Sequence, residues 1–186
     1  MIFSHDTEVT LRSAVDLVNS DRVDGDQLAT GEALNRFLDD YGTTGRRDND
    51  AAELAAVHQL RQRLGRVWTV ADDEARAVGQ VNALLSDTRA APWLTRHPEM
   101  PEWHLHLASI HDPVAQRLGA EIAMALADLI RAGELRRLKV CNAPDCDAVL
   151  FDMSRNRSRM FCDTGNCGNR QHVAAYRERR ATADEQ

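Results

Sequence analysis

All four cysteines of this 186-residue chain, Cys141, Cys146, Cys162 and Cys167, fall within 27 residues of one another. They form two pairs of identical internal spacing, C-x4-C-x15-C-x4-C, separated by an arginine-rich stretch. A segment of about 45 residues buries too little apolar surface to fold unaided and needs a cross-link or a metal. Zinc takes four thiolates in a tetrahedron, and each pair closes a short loop that turns two sulfurs toward one centre. Four cysteines leave no open coordination position, so such a Zn2+ is structural and not catalytic. Disulfides are the alternative, disfavoured where thiols are kept reduced. The spacing does not match the common iron–sulfur runs. His172 is a fifth candidate, but it falls on a following helix and reads as a surface residue.

Between the pairs, "AVLF" (148–151) and "RMF" (159–161) read as short strands joined by the turn-forming "SRNRS" (154–158). A helix is expected from about Asn169, which sets Cys167 near a helix N-terminus where the dipole favours a thiolate. The logic is that of a zinc ribbon or treble clef. Arg155, Arg157 and Arg159 fall in the turn, and Arg170, Arg177 and Arg180 on the terminal helix. Arg170 and Arg177 are seven residues apart and share a face. Guanidinium groups suit phosphates and guanine edges. The competing reading pairs these arginines internally with Asp145, Asp152 and Glu178. Charge favours a polyanion at this end: residues 131–180 carry a net +5 against −9 for residues 1–130.

Residues 1–136 read as a mainly helical domain, and 137–186 as the zinc module. Apolar residues recur at helical spacing at Leu11, Val15 and Val18, then at Leu34, Phe37, Leu38 and Tyr41. Thr30 is a candidate N-cap and Gly42 a left-handed stop. Asp50 and Glu53 start a helix through Val57, Leu64 and Trp68. Another is expected over 71–86. Prolines break the pattern around 92–113, where alternation of Trp103, Leu105 and Leu107 with His104 and His106 predicts a hairpin, 92–96 with 102–108. Asp112-Pro113 then reads as a cap followed by proline at the first helical position.

Trp68, Trp93, Trp103, His104 and His106 are candidates for lining a small-molecule pocket. His104 and His106, two apart on one strand face, could also hold a metal or respond to pH. No nucleotide-binding, hydrolase or metalloprotease motif occurs, so no enzyme is expected. No run of about 18 apolar residues exists to span a membrane. The N-terminal segment does not read as a secretory signal, so a cytoplasmic location is expected.

The module's residues point to a family. Cys167-Gly168-Asn169-Arg170 spells the CGNR signature, and residues 137–180 resemble the CGNR zinc finger. The region beginning "AVDLVNS" (14–20) is similar to the ABATE domain that precedes this finger in bacterial proteins described as stress-induced transcription regulators. The resemblance implies a mainly α chain: a helical domain with a small β-hairpin, then a zinc module made of a β-hairpin and one helix. It also implies DNA as partner of the zinc module and assigns the helical domain no role; the reading adopted for that domain is sensing a signal or mediating homodimerisation. A zinc-stapled protein–protein interaction module is the alternative.

Overall fold

The computed structural model describes residues 3–22, 25–97 and 100–184. Their order is α1 (His5–Asn19), α2 (Gly31–Asp40), α3 (Ala51–Thr69), α4 (Glu74–Asp87), β1 (Trp93–His97), β2 (Met100–His106) and α5 (Val114–Arg131). A 3-10 turn (Leu135–Arg137) leads into β3 (Leu138–Val140), then β4 (Val149–Phe151) and α6 (Cys167–Asp184). The chain is mainly α, with two separate antiparallel two-stranded sheets among the described residues.

Local chemistry sets the helix starts. Thr30 caps α2 by accepting from the Ala33 amide. Asp50 caps α3 through the Glu53 amide at 2.8 Å, and the Glu53 carboxylate reaches back to the amides of Asp48 and Asn49. α1 is capped by Ser4, whose hydroxyl accepts from the Thr7 amide. Two later starts, those of α5 and α4, differ from expectation. α5 begins one residue later than the Asp-Pro pattern suggested, because Asp112 folds back onto the Ser109 amide. Pro113 itself then occupies the cap position. α4 starts at Glu74, capped by Asp73, since 70–73 close a turn after α3. Gly42 adopts φ +61°, as a left-handed stop requires.

α5 is the central element and packs on α1, α3 and α4. Its Leu118, Ile122, Leu126 and Leu129 are buried with Leu11, Leu17, Val57, Leu64 and Leu84. Gly119 permits a close approach. A Cβ there would lie 2.8 Å from the Thr88 methyl and 3.2 Å from Leu60. The β1–β2 hairpin pairs Trp93 with His106, Leu94 with Leu105 and Thr95 with His104. Its apolar side chains Leu94 and Trp103 are largely exposed.

The β3–β4 hairpin joins this core. Leu138, Val149 and Phe151 are buried in the same cluster as the helices. β4 docks on α1 through Asn19 at the end of the "AVDLVNS" stretch. The Asn19 carboxamide donates to the Val149 carbonyl and accepts from the Val149 amide, both at 2.8 Å. It thus stands in for a neighbouring strand. One residue on, the Trp68 indole donates to the Leu150 carbonyl at 3.1 Å.

Asn19→Ala would leave both Val149 groups without these bonds in a buried place. It is expected to cost about 2 kcal/mol and to speed hydrogen exchange at the Val149 amide more than within α5. Unchanged melting and exchange would contradict the docking role.

Candidate metal centre and nucleic-acid interface

β3 delivers Cys141 to the centre. The Cys141 amide donates to the Ala148 carbonyl across the hairpin, and a turn from Ala143 brings Cys146 back. The second pair sits on the turn into α6. Asn166 takes φ +48° and Cys167 is the first residue of the helix. Gly165 is required here, because a Cβ would lie 3.0 Å from the Cys167 sulfur and 3.8 Å from that of Cys162. Cys141, Cys162 and Cys167 are buried, and Cys146 is half-buried.

All four sulfurs lie within 4.8 Å of one another, with Cys146 to Cys162 at 3.7 Å and Cys162 to Cys167 at 3.6 Å. Zn–S bonds of about 2.3 Å in a tetrahedron require sulfur–sulfur edges of about 3.8 Å. The donor set therefore fits one structural Zn2+. Without a cation, burial and then the neighbouring sulfurs push the Cys162 thiol up to about 12. A divalent ion removes that obstacle by binding the thiolates. Two donors already point at sulfur: the Cys162 amide toward Cys141 and the Arg170 guanidinium toward Cys167, both at 3.4 Å.

The strand partner of β4 differs from expectation. "RMF" forms no strand; β4 pairs instead with β3, Val140 opposite Val149 and Leu138 opposite Phe151. Lys139, the only lysine in the chain, supplies the reason. Its ammonium donates to the carbonyls of Arg157 and Arg159 at 2.7 and 3.0 Å, so those groups are not available to a sheet ladder. It also binds the fully buried Asp152 carboxylate at 2.6 Å. Asp152 in turn accepts from the amides of Ser154 and Arg159. Arg137 closes the loop from the other side, donating to the carbonyls of Asp152 and Ser154. The 152–160 loop is thus wound around the buried Asp152 carboxylate and its half-buried lysine partner.

The arginines divide into two groups. Arg157 pairs with Glu134 at 3.4 Å, and Arg159 pairs with Asp163 and donates to the Phe161 carbonyl. Among the described side chains, neither uses Asp145 or Asp152 as its acid; Glu178 lies outside the described side chains. Arg155, Arg177 and Arg180 are exposed and have no hydrogen-bond or ion-pair partner among the described residues. Arg170 is exposed beyond its contact with Cys167. α6 is solvent-facing along most of its described length after Cys167, with Val173 and Tyr176 exposed beside the arginines.

The five pocket candidates fall in two places. Trp68 is buried in the core against β4. Trp93, Trp103, His104 and His106 lie on the β1–β2 hairpin, Trp103 beneath the Arg96 guanidinium at 5.0 Å. A groove of about 700 Å³ opens elsewhere, between α1, the end of α2 and the module, lined by Arg12, Asp16, Tyr41, Phe151, Met153 and Thr164, among others. In it the Tyr41 hydroxyl bonds Asp16, and Arg12 reaches the Met153 sulfur. Sequence reading missed Asn19, Lys139 and the groove. The single lysine among 22 arginines was the one available signal for the second.

Two outcomes test this centre. Cys146→Ser is expected to lower zinc content from one per chain toward none and to disorder 141–170, leaving the far-UV helical signal of the body largely intact; metal analysis and NMR check it. Burial alone would raise the Asp152 carboxyl, but Lys139 and Ser154 outweigh it and hold it at about 2. A depressed folded value stabilises above the ordinary carboxyl range near 3.8, and that stability is lost as pH falls from about 4 toward 2. Asp152→Asn should cost about 3 kcal/mol at neutral pH and flatten melting temperature between those pH values.

Two family models match the chain. One, ABATE, described as "Putative stress-induced transcription regulator", covers residues 11–133. The other, the CGNR zinc finger, covers residues 137–180. Neither is an enzyme family. No curated protein matches the chain. No helix among the described residues is long and apolar enough to cross a membrane. With the first match spanning well over half the chain and the second falling on the four-cysteine centre, the chain belongs to the ABATE family and carries a C-terminal CGNR zinc finger.

Proposed function

We propose that the protein is a DNA-binding transcription regulator of the cytoplasm, in which the zinc module presents Arg155, Arg170, Arg177 and Arg180 to the phosphate backbone. The observation that carries this reading is the sorting of the arginines. Those facing inward, Arg137, Arg157 and Arg159, are held by acids and carbonyls. Arg155, Arg177 and Arg180 project from the loop and from α6 without acidic partners among the described residues. Solvated guanidiniums without acidic partners cost little to bring to a phosphate. The zinc is structural in this reading: it fixes the start of α6 and the exit of β3, and so the direction in which the arginines point.

The helical body supplies regulation, by sensing a small-molecule signal or by homodimerisation. The groove between α1 and the module supports the first of these. It is within the size range of small-molecule sites, and its walls come from both parts of the chain. A zinc-stapled protein-interaction module is the competing reading, and the exposed Val173 and Tyr176 on α6 are what favour it.

Binding of the zinc-loaded chain to duplex DNA should weaken steeply with salt. Arg177→Ala and Arg180→Ala should each weaken it uniformly across sequences and lower the salt slope by about 1, with zinc content unchanged. A zinc-loaded chain that binds no duplex at low salt would sink the proposal and leave the protein-interaction reading.

A further inference from the structure

We infer that α6 lies in the major groove of duplex DNA and reads base edges there, Asn169 meeting an adenine and Val173 a thymine methyl; this deepens the DNA-binding reading above and rests on it. Asn169 belongs to the CGNR signature. Its carboxamide is exposed and has no hydrogen-bond partner among the described residues.

Burial fixes the way α6 faces. Of residues 168–177, Gly168, Gln171 and Ala175 are half-buried and the rest are exposed. These three recur at intervals of three and four, so they make one line along the helix, turned toward the module. Gly168 begins that line against Phe161, where a Cβ would lie 3.7 Å away. Val173 stands two residues from both Gln171 and Ala175, which on a helix is the opposite side. Asn169, Val173, Tyr176 and Arg180 follow one another at intervals of four, three and four along that outer side, flanked by Arg170 and Arg177. All six are exposed.

The outer side therefore carries two chemistries. Arg170, Arg177 and Arg180 span about 15 Å of helix axis and suit phosphates. Between them lie groups of no use to a phosphate, with Val173 40% and Tyr176 55% exposed. A helix with its side chains is about 10–12 Å across and the major groove about 12 Å wide. There an asparagine carboxamide bonds N6 and N7 of adenine together, and an apolar side chain meets the thymine C5-methyl. One turn separates Asn169 from Val173, about 6 Å, which is close to two steps along a strand at about 3.4 Å each. Cys167 is the first residue of α6, so the metal centre holds the turn that carries Asn169.

Selection from a pool of random duplexes with the zinc-loaded full chain tests this. An enriched element is expected with adenine and thymine about two base pairs apart. On that duplex, followed by fluorescence anisotropy, Asn169→Ala should weaken binding about tenfold and erase the preference for adenine, while an unrelated duplex binds as before. Uracil in place of the thymine removes only the methyl. It should weaken the wild-type chain about fourfold and the Val173→Ala chain not at all. Zinc content and melting should stay unchanged in both variants, because both side chains are exposed. Binding without any enriched element overturns the inference and leaves phosphate contact standing. An element whose recognition survives both substitutions overturns it as well, by assigning the readout to another part of the chain. A chain that binds no duplex overturns both this inference and the reading beneath it.

Discussion

β4 belongs to two structures at once, and the rest of the molecule is arranged around that fact. Its three residues, Val149–Phe151, pair with β3 on one side and meet the side chains of Asn19 and Trp68 on the other. A two-stranded hairpin of three-residue strands is not stable by itself in water. Here the carboxamide of Asn19 satisfies both polar groups of Val149, and the side chains of Val149 and Phe151 enter the helical core. The zinc centre then needs to organise only the loops beyond the hairpin. Its own apolar cluster is small: beyond the cysteines it comprises little more than Ala143, Ala148 and Phe161.

This division explains why two different charged devices occur on opposite sides of the hairpin. Toward the loop 152–160, the Asp152 carboxylate is buried against the half-buried ammonium of Lys139, and the pair bonds the backbone at Arg157 and Arg159. Burying an ion pair is costly unless the remaining lone pairs and protons are satisfied, and here they are. Lysine is the appropriate cation at this point. Its ammonium reaches three oxygens from one atom, which the planar fork of arginine is not shaped to do. Toward the knuckles, the charge is that of four thiolates, and a metal answers it.

Much of this was legible in the residues. Helix starts with a side-chain acceptor and apolar stripes at 3.6 spacing, as in α2 and α3, follow from local rules, and so does the metal centre, because four cysteines at matched spacing admit few arrangements. The choice of strand partner for β4 was not legible. "RMF" and "LKV" are comparable as short strands, and the decision rests on Lys139 occupying the carbonyls of Arg157 and Arg159, a contact across about 20 residues. The role of Asn19 was hidden for the same reason. An asparagine at a helix C-terminus usually reads as a cap, and its partner Val149 lies 130 residues away. The division of the arginines between inward pairs and outward groups depended on both. Spacing places Arg157 and Arg159 in a turn, but it cannot say that Glu134 and Asp163 lie beside them.

The shared strand also has a thermodynamic consequence. If Zn2+ binds only when the knuckles are formed, its binding energy stabilises every conformation in which β3 and β4 are paired. Those conformations are also the ones in which Val149 meets Asn19 and Leu150 meets Trp68. Order in α1 and α3 and order in the metal centre are therefore linked, and linkage acts in both directions. A molecule seated in the groove would touch α1 on one wall and Phe151 and Met153 on the other. It would bias the hairpin that carries Cys141, and through the metal it would bias the first turn of α6. No long-range pathway is needed for such an effect, because β4 is the wall of the groove, a strand of the metal-bearing hairpin and part of the core.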